Sequence, residues 1–333
     1  MKIAMVGCGA LGCFYAARLN RVLPDVHFLL RSDFAHVRDH GLRIESVDGD
    51  FFLRPRCAIA AEEIGPCDVV FIGLKTTAND QLGRLLPPLV TRHTLIVTLQ
   101  NGLGNEEQLS VLFGPDNILG GLCFVCVNRL SPGHIRHTAY GRIVLGEFGR
   151  RSQSRTRALS GEFLKAGIPC EVTDDLARAH WEKLIWNIPF NGLGVAGAAG
   201  YEAVCEGVPS PRVPLGPCLP TDQLLADARW EALVRDLMRE VIAAGRALGH
   251  DIDHGLAELN IDRTRSMGPY RASTLLDFER GLPIELESLF LTPLRWAEQA
   301  GVPMPRLSAL CRLLVQLDSH RASIAAEIRK PGA

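Results

Sequence analysis

Lys183, Asn187 and Asn191 recur at every fourth position within His180-Trp-Glu-Lys-Leu-Ile-Trp-Asn-Ile-Pro-Phe-Asn-Gly192. In a helix this spacing stacks the three on one face, among Leu184, Ile185, Trp186 and Phe190. A polar stripe in an apolar helix must be solvated, paired internally or turned toward a ligand. A lysine there offers a proton and a cation to an oxygen that gathers negative charge, and the amides offer orientation without charge. An amphipathic surface helix is the plainer alternative, although asparagines are poor helix formers. Pro189 removes one helical hydrogen bond and predicts a kink beside the stripe. Farther on, Ser273-Thr-Leu-Leu-Asp277 and Gly281-Leu-Pro-Ile-Glu285-Leu-Glu-Ser288 add a hydroxyl and carboxylates. For Ser273 the alternative is N-capping, and for Glu285 it is a first-turn carboxylate complementing the helix dipole after Pro283.

A second constellation opens the chain. Gly7-Cys8-Gly9-Ala10-Leu11-Gly12 directly follows a strand and starts a helix. Gly7 permits a tight turn, Gly9 lets the backbone approach a pyrophosphate, and Gly12 allows close packing of helix on strand. The helix N-terminus then presents free amides and partial positive charge to phosphates, so the spacing predicts a dinucleotide site. The next strand, Val26-His-Phe-Leu-Leu30, ends in Arg31-Ser32, where a site for NAD usually places an acid. Arg31 suits a 2′-phosphate, and the alternative is a solvated arginine at a strand end. Asp33 follows closely and leaves NAD open. Lys75, just after Asp68-Val-Val-Phe-Ile-Gly-Leu74, sits where cofactor phosphates would be reached. Asn101, in Gln100-Asn-Gly-Leu-Gly104, sits where nicotinamide, ribose and substrate would meet. A turn-forming Asn-Gly is the alternative reading of Asn101.

The elements that must position these residues change in texture along the chain. Apolar strands are predicted at Ile3–Val6, Val26–Leu30, Asp68–Leu74 and Thr94–Leu99. A helix lies over about Ala10–Asn20, and a hairpin over Leu42–Leu53 turns at Asp48-Gly49. Further strands are predicted at Leu122–Val127, Gly133–His137 and Ile143–Leu145. Helical spacing then dominates: Leu176–Ala199, Leu224–Leu248, Leu256–Met267, Arg271–Glu279, Ile284–Ala300 and Arg306–Leu317. Between them, the proline-rich stretch Val204–Pro220 reads as a long loop. The expected architecture is an α/β, Rossmann-type dinucleotide-binding domain over residues 1–173 and an all-α domain over 174–333.

Composition removes other classes. At 333 residues, 47% hydrophobic and 22% charged, the chain is globular and long enough for two cores. Lys and Arg total 36 against 37 Asp and Glu, so no broad field recruits nucleic acid or an anionic membrane. No apolar run reaches membrane-spanning length without a charge or breaker. The scattered cysteines lack the spacing of a secreted framework, and Met1-Lys2-Ile3 leads straight into a strand, so a reducing cytoplasm is expected. Cys123-Phe-Val-Cys126 reads as two structural thiols on opposite strand faces. His134 and His137 read as surface strand histidines, and no cluster calls for a metal.

Taken in order, Gly7 to Gly12, Leu74-Lys75, Gln100-Asn101-Gly102, Trp181-Glu-Lys183-Leu-x-x-Asn187-x-x-x-Asn191, Ser273-x-x-x-Asp277, Glu285 and Gly301-Val-Pro303 resemble the ketopantoate reductase family (2-dehydropantoate 2-reductases) across nearly the whole chain. The resemblance implies a cleft between the two domains that holds NADPH and a small 2-oxo acid, ketopantoate first. It assigns Lys183 as general acid and Glu285 as the carboxylate for the substrate hydroxyl. Asn187, Asn191 and Ser273 become substrate-positioning residues, Asn101 sits beside nicotinamide and substrate, and Arg31 and Lys75 serve the NADPH phosphates. It also implies a homodimer. Tyr201 stands where some members have a further asparagine, so another branched 2-oxo acid stays open, as does a non-catalytic NADPH-binding sensor.

Overall fold

The computed structural model describes residues 1–209 and 215–328. It divides into two compact units, Met1–Ala179 and His180–Ala333.

β1 (Ile3–Val6) is apolar and buried at every position, as befits a strand covered on both faces. Alternation splits its side chains between two cores. Ile3 and Met5 join Phe14, Phe28, Phe71, Val97 and Phe163 on one face. Ala4 and Val6 join Val70, Ile72, Ile96 and Leu109 on the other. After β1 come α1 (Ala10–Asn20), β2 (Val26–Leu29), α2 (Phe34–His40), β3 (Leu42–Ser46), β4 (Phe51–Leu53), β5 (Arg56–Ala58), α3 (Ala61–Ile64) and β6 (Val69–Ile72). Then follow α4 (Leu82–Leu85), β7 (Leu95–Thr98), α5 (Asn105–Phe113), β8 (Ile118–Ser131), β9 (His134–Glu147), α6 (Ser154–Lys165) and β10 (Cys170–Val172). The strands form one sheet in the order β4-β3-β9-β8-β7-β6-β1-β2-β5, with β10 beside β9.

β2 and β6 flank β1 in parallel, Ile3 lying opposite both Val26 and Val69. The chain runs outward from β1 on one side and returns to β6 and β7 on the other. Such a reversal opens a crevice at the carboxyl ends of β1 and β6, where open α/β sheets bind ligands. The hairpin expected around Asp48-Gly49 is the antiparallel pair β3–β4.

The three short strands expected between residues 122 and 145 are instead one antiparallel pair, β8 and β9, each 14 residues long. Gly120 and Gly121 concealed the longer run, because glycine weakens a strand interior. Here they make room: a Cβ on Gly121 would lie 2.6 Å from Leu99 Cδ2, and one on Gly120 would strike the Glu106 and Leu176 side chains. The surface expectation for His137 is overturned. Its ring is buried against Phe14, centroids 4.5 Å apart. Nε2 lies 3.0 Å from the Ala139 carbonyl, which only accepts, so Nε2 donates there, and Nδ1 lies 2.9 Å from Ser46 Oγ. His134 is half-buried, 2.8 Å from a Glu45 carboxylate oxygen. Cys123 and Cys126 are both buried.

The second unit opens within α7 (Leu176–Ala196), which carries Pro189 inside it. α8 (Tyr201–Glu206) occupies the start of the expected loop and stops at Gly207, whose left-handed φ of +78° is a common helix terminator. Residues 210–214 of that stretch lie outside the described residues. α9 (Thr221–Ala226) and α10 (Ala228–Ala247) replace one expected helix, broken at Asp227. Asp227 is extended, and its carboxylate accepts from Arg229 N at 2.8 Å and Trp230 N at 3.4 Å. α11 (Leu256–Arg265), α12 (Ser273–Glu279), a π-turn over Glu287–Leu291, α13 (Thr292–Gln299) and α14 (Pro305–Ile328) complete the unit. Gly192 on α7 lets neighbours close in, since a Cβ there would lie 2.6 Å from Leu310 Cδ2 and 2.9 Å from Phe290 Cε1. Among the described residues no helix is long and apolar enough to cross a membrane.

Candidate active site

The glycine turn is shaped by close approach. Gly7 adopts φ +97°, and a Cβ on it would lie 2.6 Å from the Gly73 carbonyl carbon and collide with Leu74 N. The turn therefore abuts the end of β6 and brings Leu74-Lys75 alongside Gly7 to Gly12. Lys75 is exposed there. Gly12 packs α1 onto the turn, where a Cβ would strike the Gly7 carbonyl oxygen. Gly9 differs: its φ is −78° and nothing lies within 4 Å of an added Cβ. Gly9 caps α1 with no side-chain acceptor on the first-turn amides. The opening of α1, from Ala10 and Leu11, thus keeps both space and donors for an anion. Cys8 Sγ donates to the Met5 carbonyl at 3.4 Å and Cys13 Sγ to the Cys8 carbonyl at 3.2 Å. Burial pushes the Cys8 thiol well above its ordinary value, so it adds no charge beside phosphates.

Past β2, Arg31 is exposed at the turn into α2. Asp33 behaves differently from its exposed neighbours, because its carboxylate is 5% exposed. Oδ1 accepts from Ser32 Oγ at 3.0 Å and lies 3.2 Å from Arg129 Nη1. Oδ2 accepts from Gly133 N at 3.4 Å.

A ladder of amides ties the ends of β6 and β7 together. Gln100 Nε2 donates to the Leu74 carbonyl at 3.0 Å and to Asn79 Oδ1 at 2.7 Å. Asn79 Nδ2 donates to Asn105 Oδ1 at 3.1 Å, and Asn105 Nδ2 to the Asn101 carbonyl at 3.1 Å. Lys75 and Asn101 are therefore carried on backbone braced by neutral side chains. Asn79 and Asn105 escaped the sequence reading, although a buried polar residue flanking a strand end is a signal for such a brace.

In the second unit, α7 carries the polar stripe. Asn187 and Asn191 are buried and Lys183 is half-buried. Asn191 Nδ2 donates to Asn187 Oδ1 at 3.4 Å, while Asn191 Oδ1 accepts from Thr274 N at 3.2 Å. That second bond holds the first turn of α12, which Ser273 opens, against α7. Ser273 is the first helical residue behind an Ala272 cap, so it is not an N-cap. The outer side of α7 is fixed by Trp186, whose Nε1 donates to Thr264 Oγ1 at 2.9 Å and whose ring lies 5.0 Å from Phe190. Glu285 immediately precedes the helical turn that begins at Leu286 and is only 3% exposed, so the first-turn reading stays compatible with its position. Single π-turns are frequent at functional sites because they re-aim the residues around them.

The first unit thus carries an open helix N-terminus and two exposed cations, Arg31 and Lys75, and the second carries Lys183, two buried amides, Ser273 and the buried Glu285. These are the groups needed to hold a dinucleotide and to protonate a carbonyl oxygen. The family model for ketopantoate reductase PanE/ApbA matches residues 3–150, and the model for its C-terminal part matches residues 218–318. The chain is 39% identical over 325 residues to a 2-dehydropantoate 2-reductase of Nostoc sp., covering 96% of each. A crystal structure of 2-dehydropantoate 2-reductase from Geobacter metallireducens is 44% identical with a TM-score of 0.87, covering 95% of this chain and 99% of that one. A ternary structure of D-mandelate dehydrogenase with NADH and anilino(oxo)acetate shares the fold at TM-score 0.81 and 17% identity, covering 96% and 99%. With both parts of the family pattern matched along its length, this chain belongs to the ketopantoate reductase family, oxidoreductases that interconvert a carbonyl and an alcohol.

Proposed function

We propose that this protein reduces ketopantoate to (R)-pantoate with NADPH, a step toward pantothenate and coenzyme A. The observation that carries the reading is the stripe of Lys183, Asn187 and Asn191 on α7, with Asn191 holding the first turn of α12, which Ser273 opens, against that helix. NADPH, when bound, supplies hydride to the ketone carbon. As negative charge gathers on the ketone oxygen, the Lys183 ammonium donates its proton there and then recovers one from solvent. Asn187, Asn191 and Ser273 orient the substrate hydroxyl and carboxylate without adding charge, and Glu285 receives the substrate hydroxyl. Asn101 would lie beside the nicotinamide. Gly7, Gly9 and Gly12, with the opening amides of α1, cradle the pyrophosphate, while Arg31 and Lys75 meet the phosphates. We place the enzyme in the cytoplasm as a homodimer, which sedimentation measures directly.

A reductase of another branched 2-oxo acid is the second reading, raised by Tyr201 standing where some family members carry a further asparagine. That phenol stands edge-on to Trp230, ring centroids 5.2 Å apart, with the Arg229 guanidinium 4.8 Å from its ring centre. A non-catalytic NADPH sensor has no need of Lys183 or Glu285. NADPH oxidation with a panel of 2-oxo acids, for the native chain and Lys183→Ala, decides among them. Turnover of ketopantoate abolished by the substitution supports the first reading, turnover of another acid alone supports the second, and binding without turnover supports the sensor.

A further inference from the structure

We propose that the Arg129–Asp33 ion pair sets the preference for a 2′-phosphorylated dinucleotide by cancelling an acid that would otherwise repel the phosphate. The proposal rests on NADPH being the cofactor and deepens that reading.

Sites that bind NAD use a carboxylate after the second strand to accept from the ribose 2′-hydroxyl. This chain has a carboxylate in that neighbourhood, Asp33, but both of its oxygens are engaged. Ser32 Oγ and Arg129 meet Oδ1, and the Gly133 amide meets Oδ2. Asp33 lies two residues beyond Arg31, on the same turn into α2. An uncancelled charge at Asp33 would oppose a dianionic phosphate held by Arg31.

The cancelling cation comes from a distant part of the chain. Arg129 lies near the tip of the β8–β9 pair, at a register irregularity between Arg129 and Ser131. The tip is anchored at this corner of the sheet: Arg43 N donates to the Gly133 carbonyl at 2.8 Å. A Cβ on Gly133 would lie 2.6 Å from His36 Cδ2, so Gly133 itself rests on α2. The unusual length of β8 and β9 thereby delivers a guanidinium to the turn that carries Arg31. Arg129 acts as a positioning residue, through Asp33.

The test is a cycle of Arg129→Gln, Asp33→Asn and the double variant, with kcat/KM measured for NADPH and NADH. Arg129→Gln is expected to lower the NADPH:NADH ratio of kcat/KM at least tenfold, through KM for NADPH, with kcat little changed. Asp33→Asn keeps or raises the native ratio, because Arg129 is then an uncompensated cation near the phosphate, and the double variant recovers the native ratio, because no carboxylate remains to cancel. Arg129→Lys retains most of the preference. Equal losses with both cofactors, or a double variant as poor as Arg129→Gln, would overturn the proposal. A native enzyme with no preference for NADPH defeats the cofactor reading itself. A native preference that Arg31→Ala abolishes and Arg129→Gln leaves intact defeats only the ion-pair proposal.

Discussion

Asn191 Oδ1 accepts the backbone N–H of Thr274 across 83 residues of sequence, at 3.2 Å. One side chain thus both contributes to the polar stripe of α7 and satisfies an opening amide of α12. The two roles separate by substitution. Asn191→Ala removes the acceptor and leaves a buried amide unpaired, which costs about 1–3 kcal/mol and lowers the melting midpoint. Asn191→Asp keeps the acceptor for Thr274 but loses the donation to Asn187 Oδ1 and buries a carboxylate, so it too melts below the native protein, and its negative charge opposes a substrate carboxylate and raises KM for the 2-oxo acid. Thermal melts beside steady-state kinetics check this, and loss of activity that simply follows loss of stability in both variants contradicts it.

Lys183→Ala removes the proposed proton donor and the cation facing the developing charge. General acid catalysis of this kind contributes roughly 10²–10⁴-fold. The expected result is a kcat lowered by that order, with the dissociation constant for NADPH within a few-fold of native. Cofactor titration followed by single-turnover oxidation separates the two quantities. Near-native single-turnover rates in the variant would rule out Lys183 as the acid.

Much of the candidate site's local geometry was legible because it depends on local spacing. The Gly7-to-Gly12 turn needs only a strand before it and a helix after it, and Lys183, Asn187 and Asn191 need only helical periodicity. What escaped depends on partners remote in sequence. Nothing near Thr274 announces Asn191, and nothing near Asp33 announces Arg129. Asn79 and Asn105 became visible as a brace only when β6 and β7 lay side by side. The long β8–β9 pair was hidden by Gly120 and Gly121, which fit where Leu99, Glu106 and Leu176 crowd the backbone. His137 looked like a surface residue because strand alternation cannot reveal that Phe14 and Ser46 close over it.

The three glycines of the turn are under different constraints, and alanine distinguishes them. Gly7→Ala and Gly12→Ala insert a Cβ into backbone atoms of the turn and of Gly73-Leu74 just past β6, and Gly7 also holds a positive φ. Both are expected to destabilise the first unit as well as to abolish cofactor binding. Gly9→Ala meets nothing within 4 Å and keeps an ordinary φ, so it should melt like the native protein. Its methyl instead occupies space that the pyrophosphate needs, and cofactor affinity falls. A Gly9→Ala variant that binds NADPH normally would show that phosphates do not approach the turn there.

Arg31 is the remaining discriminator. Its guanidinium is exposed, so in the free protein its removal costs little stability. Bound to a 2′-phosphate it forms charge-assisted hydrogen bonds, each worth about 1.5–3 kcal/mol, and NADH offers it no such partner. Arg31→Ala is therefore expected to weaken NADPH by one to two orders of magnitude while NADH changes by less than about threefold, since 1.4 kcal/mol is tenfold in affinity. Raising ionic strength should erode the native preference in the same direction, because an exposed ion pair is screened by salt. Fluorescence titration of both cofactors at two salt concentrations measures all four quantities, and equal losses for the two cofactors would remove Arg31 from the 2′-phosphate.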